Sequence, residues 1–237
     1  PKLIRIFEAL EMFAYRTATK TSVIADDFVA HLLYKQVPAH KIVQIPNWVD
    51  VNFIRPLPRA NNQFRLAHQL EDKFVVLYSG NIALTQGLET VIEAATHLCH
   101  LSDIAIVIVG EEAALERLQQ HCQSCGATNV LLLPLQPRQD LPEMLAAADV
   151  GLVVQKQNVI SFNMPSKIQV LMASGRAIIA SVPATGSAAR AIEQSGGGSI
   201  VTPEKPEALA AAILKMYEHQ EHIKILGEHS RESALTN

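Results

Sequence analysis

From residue 74 onward, short continuous apolar runs alternate with segments whose apolar residues recur every three or four positions. Phe74–Ser79 (FVVLYS), Ile104–Val109 (IAIVIV), Val130–Leu133, Val150–Val154, Ala177–Ser181 and Ser199–Val201 read as strands, and the longest runs suit parallel strands covered on both faces. Between them, Gly87–Leu98 carries Leu88, Val91, Ile92 and Ala95 on one helical face. Segments from about Ala113 to Cys125, Leu141 to Ala148, Pro165 to Ser174 and Ser187 to Gln194 are also predicted helical, and a long helix opens near Pro206. Strict alternation of strand and helix implies right-handed crossovers and an α/β fold with a doubly wound parallel sheet. Ligands in such sheets bind beyond the carboxyl ends of the strands, which points to the loops after Ser79, Val109, Leu133 and Val154.

Residues 1–50 form a different piece. Leu3, Ile6, Phe7, Leu10, Phe13 and Ala14 fall at helical spacing, followed by a strand at Ser22–Ala25, a helix at Asp27–Lys35 and a strand at Ile42–Ile45. Asp26 is the expected N-cap of the second helix. Two strands cannot make a sheet with a buried face on each side, so this piece is expected to be the remnant of a severed neighbouring domain, the chain starting inside it. Residues 51–73, with Pro56, Pro58 and the polar run Asn61–Gln63, read as a linker.

Composition narrows the classes. The 237 residues are 49% hydrophobic and 18% charged, and that length buries a core without disulfides or metal staples. A net charge of −3 gives no general reason to expect nucleic-acid binding. No uncharged apolar run is long enough to span a membrane, and Arg5, Glu8 and Glu11 interrupt the apolar residues near the start, unlike a secretory signal. Three cysteines suit a reducing compartment. His121-Cys122-x-x-Cys125 has metal-like spacing but no second ligand pair, and reads as a helix end.

The strongest chemical signal is a gap in charge. Residues 150–192 contain no Asp or Glu, where about four would be expected from 23 acids in 237 residues, yet they carry Lys156, Lys167, Arg176 and Arg190. An anion such as a phosphate suits that block. Within it, Pro165-Ser166-Lys167 opens a helix, where a lysine opposes the helix dipole by roughly 0.3–1 kcal/mol. A bound phosphate reverses that sign; a solvated lysine simply tolerates it. Gly80 and Gly87, flanking Asn81 and Gln86, allow close backbone approach but are also ordinary turn glycines. Glu111 after Gly110 reads first as a helix N-terminal charge.

Several stretches, in order, resemble the GT-B glycosyltransferases of family 4 (group 1), in the bacterial exopolysaccharide or colanic-acid branch. They are Lys41-Ile-Val-Gln-Ile-Pro-Asn-Trp-Val-Asp50; Val76-Leu-Tyr-Ser-Gly-Asn81 with Gln86-Gly-Leu-Glu-Thr-Val-Ile-Glu-Ala-Ala95; Ile108-Val-Gly110; Leu145-Ala-Ala-Ala-Asp149; and Met164-Pro-Ser-Lys-Ile168 with Met172-Ala-Ser-Gly175. The resemblance covers roughly residues 15–215. It implies that residues 1–50 end an acceptor-side N-terminal domain and that 74–237 form the Rossmann-like nucleotide-sugar domain with C-terminal helices.

The resemblance also implies the site. The donor diphosphate belongs near Gly80, Asn81, Gln86 and Gly87, with Gly110 and Glu111 beside them, and near Pro165, Ser166 and Lys167. The base belongs near Leu133–Pro137, including Leu135 and Gln136, and the ribose at Val170. This sequence departs from the family at three places: Asn81 and Gln86 stand where Arg and Lys are usual, Val170 where a ribose-binding glutamate is usual, and Phe162 where a second glutamate is usual. Lys167 then supplies part of the missing positive charge. The implied activity is transfer of a sugar from a UDP- or GDP-sugar to a glycan or lipid-linked acceptor, retaining and without a metal or other cofactor. Catalytic residues are not assigned, and the chain alone is expected to be inactive. The expected location is cytoplasmic, with peripheral contact at the inner membrane face left open. Two other readings share the architecture: a sugar-nucleotide epimerase, and a non-catalytic nucleotide-binding or assembly domain.

Overall fold

The computed structural model describes residues 2–159 and 163–236, apart from the side chain of Lys2. Two elements groups follow in sequence. The first comprises α1 (Lys2–Thr17), β1 (Thr21–Val23), α2 (Asp26–Tyr34) and β2 (Ile42–Gln44). The second comprises α3 (Gln63–Ala67), β3 (Phe74–Ser79), α4 (Leu88–Thr96), β4 (Ile104–Gly110), α5 (Glu112–Cys125), β5 (Val130–Pro134), α6 (Leu141–Ala147), β6 (Val150–Val154), α7 (Lys167–Ala173), β7 (Ala177–Ser181), α8 (Ser187–Ser195), β8 (Gly198–Val201), α9 (Pro206–Glu218) and α10 (Gln220–Thr236).

β3 to β8 form one parallel sheet in the order β5-β4-β3-β6-β7-β8. The chain winds outward from β3 through β4 to β5, then returns to the other side of β3 for β6, β7 and β8. That reversal puts the topological switch point between β3 and β6, where their carboxyl-end loops part in opposite directions. The apolar runs become strands because both faces are covered. Phe74, Val76 and Tyr78 of β3 point with Ile106 and Ile108 of β4 into a core shared with α4, α5 and α9. Val75 and Leu77 point the other way, with Val107 and Val109, into a core shared with α6, α7 and α8.

Four features differ from the sequence reading. Asp26 is the first residue of α2, not its cap; the cap position is Ala25, with no side-chain bond to the helix. α7 is shorter than the predicted 165–174 span. The long helix near Pro206 is two helices, broken at His219 (φ −124°, ψ 57°), and α10 turns back onto α7 and β7. Residues 51–73, soft in composition, are packed: Ile54, Phe64 and Leu70 lie in the core beneath α6 and α7.

Buried arginines hold that segment down. Arg65, 2% exposed, donates to Leu70 O and Lys73 O, both at 2.8 Å, and to Asp149 Oδ2 at 2.7 Å. Burial lowers its guanidinium pKa, against the pull of the Asp149 carboxylate. Arg231 of α10 donates to Ala173 O at 2.7 Å and to Ile54 O and Val51 O, each at 3.1 Å. α10 therefore ties α7 to the incoming segment.

In the N-terminal piece, β1 and β2 pair in parallel as a two-stranded sheet, and a small core gathers Val23, Leu32 and Val37. The apolar stripe of α1 is a different matter. Leu3, Ile6, Phe7, Leu10 and Phe13 are all more than half exposed.

Candidate functional site

The chain leaves β3 through Gly80, whose φ of +129° is a conformation L side chains rarely adopt. The Gly80 N–H donates to Val109 O at 3.0 Å, so the turn stays against the end of β4. A Cβ added at Gly80 would stand 3.6 Å from Lys167 Nζ. The loop after β3 therefore meets the first residue of α7, which follows β6, across the switch point. Ile168 N–H donates to Pro165 O at 3.1 Å, so turning begins at Pro165 even though the helix proper starts at Lys167.

Between these elements lies a cavity of about 310 Å³. Gly80, Asn81, Gln86, Pro165, Ser166, Lys167 and Val170 line it, with Leu77, Leu145, Leu152 and Leu171 supplying apolar wall. No carboxylate is among its lining residues. Lys167 Nζ is shielded from solvent and has no hydrogen-bond partner among the described residues. It stands 3.4 Å from the centroid of the Tyr78 ring. Burial pulls its pKa from 10.5 down to about 7. An amine in this position lacks the anion that would make its charge favourable.

The other sequence-selected residues that the structure describes stand outside this cavity lining. Gly87 caps α4 at φ +65° with the Lys156 stem over it, 3.1 Å from where a Cβ would lie. Gly110 is covered by Ile82, whose Cδ1 would fall 2.1 Å from an added Cβ. Glu111 is the exposed N-cap residue of α5, as its position after β4 suggested, without a side-chain bond to the helix. Leu135 is exposed beyond β5, and Gln136 Nε2 donates to Pro134 O at 2.8 Å. Phe162 lies outside the described residues. His121 Nε2 faces Glu93 Oε1 at 3.3 Å, and Cys122 is buried.

The acid-free block does not act as one positive field. Arg176 precedes β7, at the opposite end of the sheet from the cavity, and donates to Ala148 O at 2.9 Å. Arg190 pairs with Asp27 of α2. Only Lys167 of the four cations lines the cavity. One participant was not recognised in the sequence: Tyr78, read there as an apolar strand residue, lies under the lysine. Its position one residue before the loop was the available signal.

A parallel sheet in this order, with a cavity at the switch point, places the chain in the doubly wound, Rossmann-like class of folds. It belongs to the glycosyl transferases group 1 family, whose signature matches residues 60–233. A protein named as a colanic acid biosynthesis glycosyl transferase, WcaI of Escherichia coli, is 32% identical over 216 residues, covering 90% of this chain and 53% of the relative. The Pseudomonas aeruginosa protein named as glycosyltransferase WbjE is 27% identical over 209 residues, covering 88% and 52%. The chain thus spans about half the length of the curated relatives it matches. The structure of Anabaena HepE in complex with UDP-glucose superposes with a TM-score of 0.81 at 19% identity, over 94% of this chain and 60% of that one. Its fold is that of the GT-B glycosyltransferases.

Proposed function

We propose that this domain binds the diphosphate of a UDP- or GDP-linked sugar in the switch-point cavity. In the complete protein it would serve transfer of that sugar to a glycan or lipid-linked acceptor. The observation that carries the reading is the Lys167 amine, out of solvent and without a partner among the described residues, on the wall of a cavity whose described lining has no carboxylate. A phosphate oxygen supplies the missing acceptor and restores the ammonium. When the sugar leaves, negative charge grows on the diphosphate, and a cation fixed beside it stabilises that state more than the ground state. The glycosyltransferase family supports sugar transfer, and the UDP-glucose bound in HepE and a relative named as GDP-mannose-dependent support the same donor class.

Gly80, Asn81, Gln86, Pro165, Ser166 and Val170 are proposed as the remaining donor contacts on the cavity wall, and Leu135 with Gln136 as the base-side rim. We take transfer to be retaining and to need no metal, in a cytoplasmic setting. No helix among the described residues is long and apolar enough to cross a membrane. The 237-residue chain alone is expected to bind donor without transferring sugar.

The test is thermal denaturation with UDP, GDP and ADP. A ligand at 100 times its dissociation constant adds about 2.7 kcal/mol of stability. UDP or GDP should raise Tm, and Lys167→Met should shrink the shift. Asn81, Gln86 and Val170 bring no charge to the cavity, which favours a non-catalytic assembly domain as the second reading. Unchanged Tm with all three nucleotides would establish it over the first.

A further inference from the structure

Tyr78 touches both walls of the cavity at once. It is the second-to-last residue of β3, fully shielded from solvent and packed with Val76 and Ile108 in the core. Its ring face lies under the Lys167 amine, 3.4 Å from the centroid. Its hydroxyl donates to Asn81 O at 2.6 Å, in the loop that leaves the strand. Phenylalanine would fill the same core volume, so the hydroxyl adds something packing does not need. Burial raises the pKa of that hydroxyl above its ordinary value, which keeps it a neutral donor throughout the physiological range.

The surroundings of Lys167 explain what the ring is for. β3 and its loop contribute Leu77, Ser79, Gly80 and Asn81; α6 contributes Leu141 and Leu145; β6 contributes Leu152. None of these is charged, and Tyr78 is the titratable neighbour. The shift of the amine comes from burial alone, without a charged contributor. An aromatic face attracts an ammonium without neutralising it, so a phosphate can engage the amine without first breaking a salt bridge.

We propose that Tyr78 is the positioning residue of this site: its ring holds the Lys167 amine against the cavity, its hydroxyl fixes the Gly80–Asn81 loop, and anion binding draws a proton from solvent onto the amine. This rests on the phosphate reading above. The free amine gains one proton from bulk water or buffer, and the resulting ammonium pairs with the phosphate oxygen; no other bond changes.

Calorimetric titration of the 237-residue chain with UDP and with GDP, in two buffers of different ionisation enthalpy from pH 6 to 9, tests it. Wild type should take up close to one proton per site above pH 7, with Kd weakening toward tenfold per pH unit. Lys167→Met should abolish the uptake. Tyr78→Phe keeps the ring, so the pH midpoint should stay while Kd weakens about 2- to 12-fold through the lost loop tether. Tyr78→Leu loses ring and tether, and should displace the midpoint and weaken Kd by about 3- to 30-fold or more. Wild-type Kd and midpoint in Tyr78→Leu, or proton uptake persisting in Lys167→Met, would overturn the inference while leaving nucleotide binding intact. If neither nucleotide binds wild type, the phosphate reading fails and takes this one with it. If circular dichroism shows Tyr78→Leu unfolded, Tyr78→Phe decides, and an unchanged Kd there refutes the proposal.

Discussion

Replacing Lys167 with methionine should stabilise the unliganded protein, by an amount that depends on pH in a defined direction. Folding lowers the amine pKa from 10.5 to about 7 because burial penalises the charged form. Below pH 7 both folded and unfolded chains hold the proton, and the folded state bears the full penalty. Between 7 and 10.5 the unfolded chain keeps a proton that the folded chain has released, so stability rises with pH across this window. Above 10.5 both are neutral and the penalty is gone. At 1.36 kcal/mol per pKa unit, the penalty has a ceiling of roughly 5 kcal/mol, and about 2–4 kcal/mol is expected after local relaxation. Methionine keeps the unbranched stem and has no charge to bury. Urea unfolding of wild type and Lys167→Met at pH 6.0, 7.5 and 9.0 measures the difference, in which the titration of every other group cancels. The variant should be more stable at pH 6.0, and the gap should close as pH rises. Parallel stability curves would show that the amine is solvated, and the anion-site argument would lose its main support. A substitution that stabilises the fold while weakening nucleotide binding marks a residue kept for its ligand.

Other perturbations separate structural charge from ligand-binding charge. Asp149→Ala should cost about 3–5 kcal/mol, because buried Arg65 loses its counter-charge and the Val75 N–H loses its acceptor, both bonded to Oδ2. Arg59→Ala should cost under about 1 kcal/mol, since Arg59 is 44% exposed where it meets Oδ1; equal losses in urea unfolding would refute this division. Gly198→Ala should destabilise by about 3 kcal/mol or more, because the added Cβ would fall 2.1 Å from Ile178 O, a backbone atom of the neighbouring strand; wild-type Tm would contradict the β7–β8 register. Arg190→Ala should change UDP affinity less than about twofold, because an exposed surface pair with Asp27 is worth under about 1 kcal/mol and the residue is not on the cavity wall. Calorimetry showing a loss as large as that of Lys167→Met would restore the reading of the acid-free block as one field.

The sheet was legible because burial on both faces leaves a one-dimensional trace, and FVVLYS and IAIVIV announce themselves as interior strands without any partner being known. The packing of residues 51–73 was not. Its prolines and polar residues look soft locally, and what holds it is Arg65 meeting a carboxylate 84 positions away and Arg231 reaching back from α10. Counting charges also misled where direction along the sheet mattered. Arg176 immediately precedes β7, so it belongs to the amino end of the strands, away from any ligand loop, and that much could have been inferred from the predicted strand. The partner of Arg190 could not, since Asp27 lies in a separate piece of the fold. Tyr78 was hidden by its own apolarity: a strand core accepts its ring, and only the fold shows what meets the ring and the hydroxyl.

The reversal of winding between β3 and β6 explains why one lysine can carry so much of the site. Adjacent parallel strands whose crossovers leave on opposite sides open a crevice at their carboxyl ends, and here one wall is the loop after β3 and the other the start of α7. Asn81 and Gln86 are neutral on one wall and Val170 is apolar on the other, so Lys167 is the single charge among the described lining residues. On the proposed reading, electrostatic attraction for a diphosphate is therefore concentrated in one contact and not spread over a basic patch. Raising salt should weaken nucleotide binding with a dependence near that of one ion pair, and Lys167→Met should leave a salt-independent remainder from base and ribose contacts. A steep salt dependence surviving in Lys167→Met would place a second cation at the site and remove the reason for the partnerless amine.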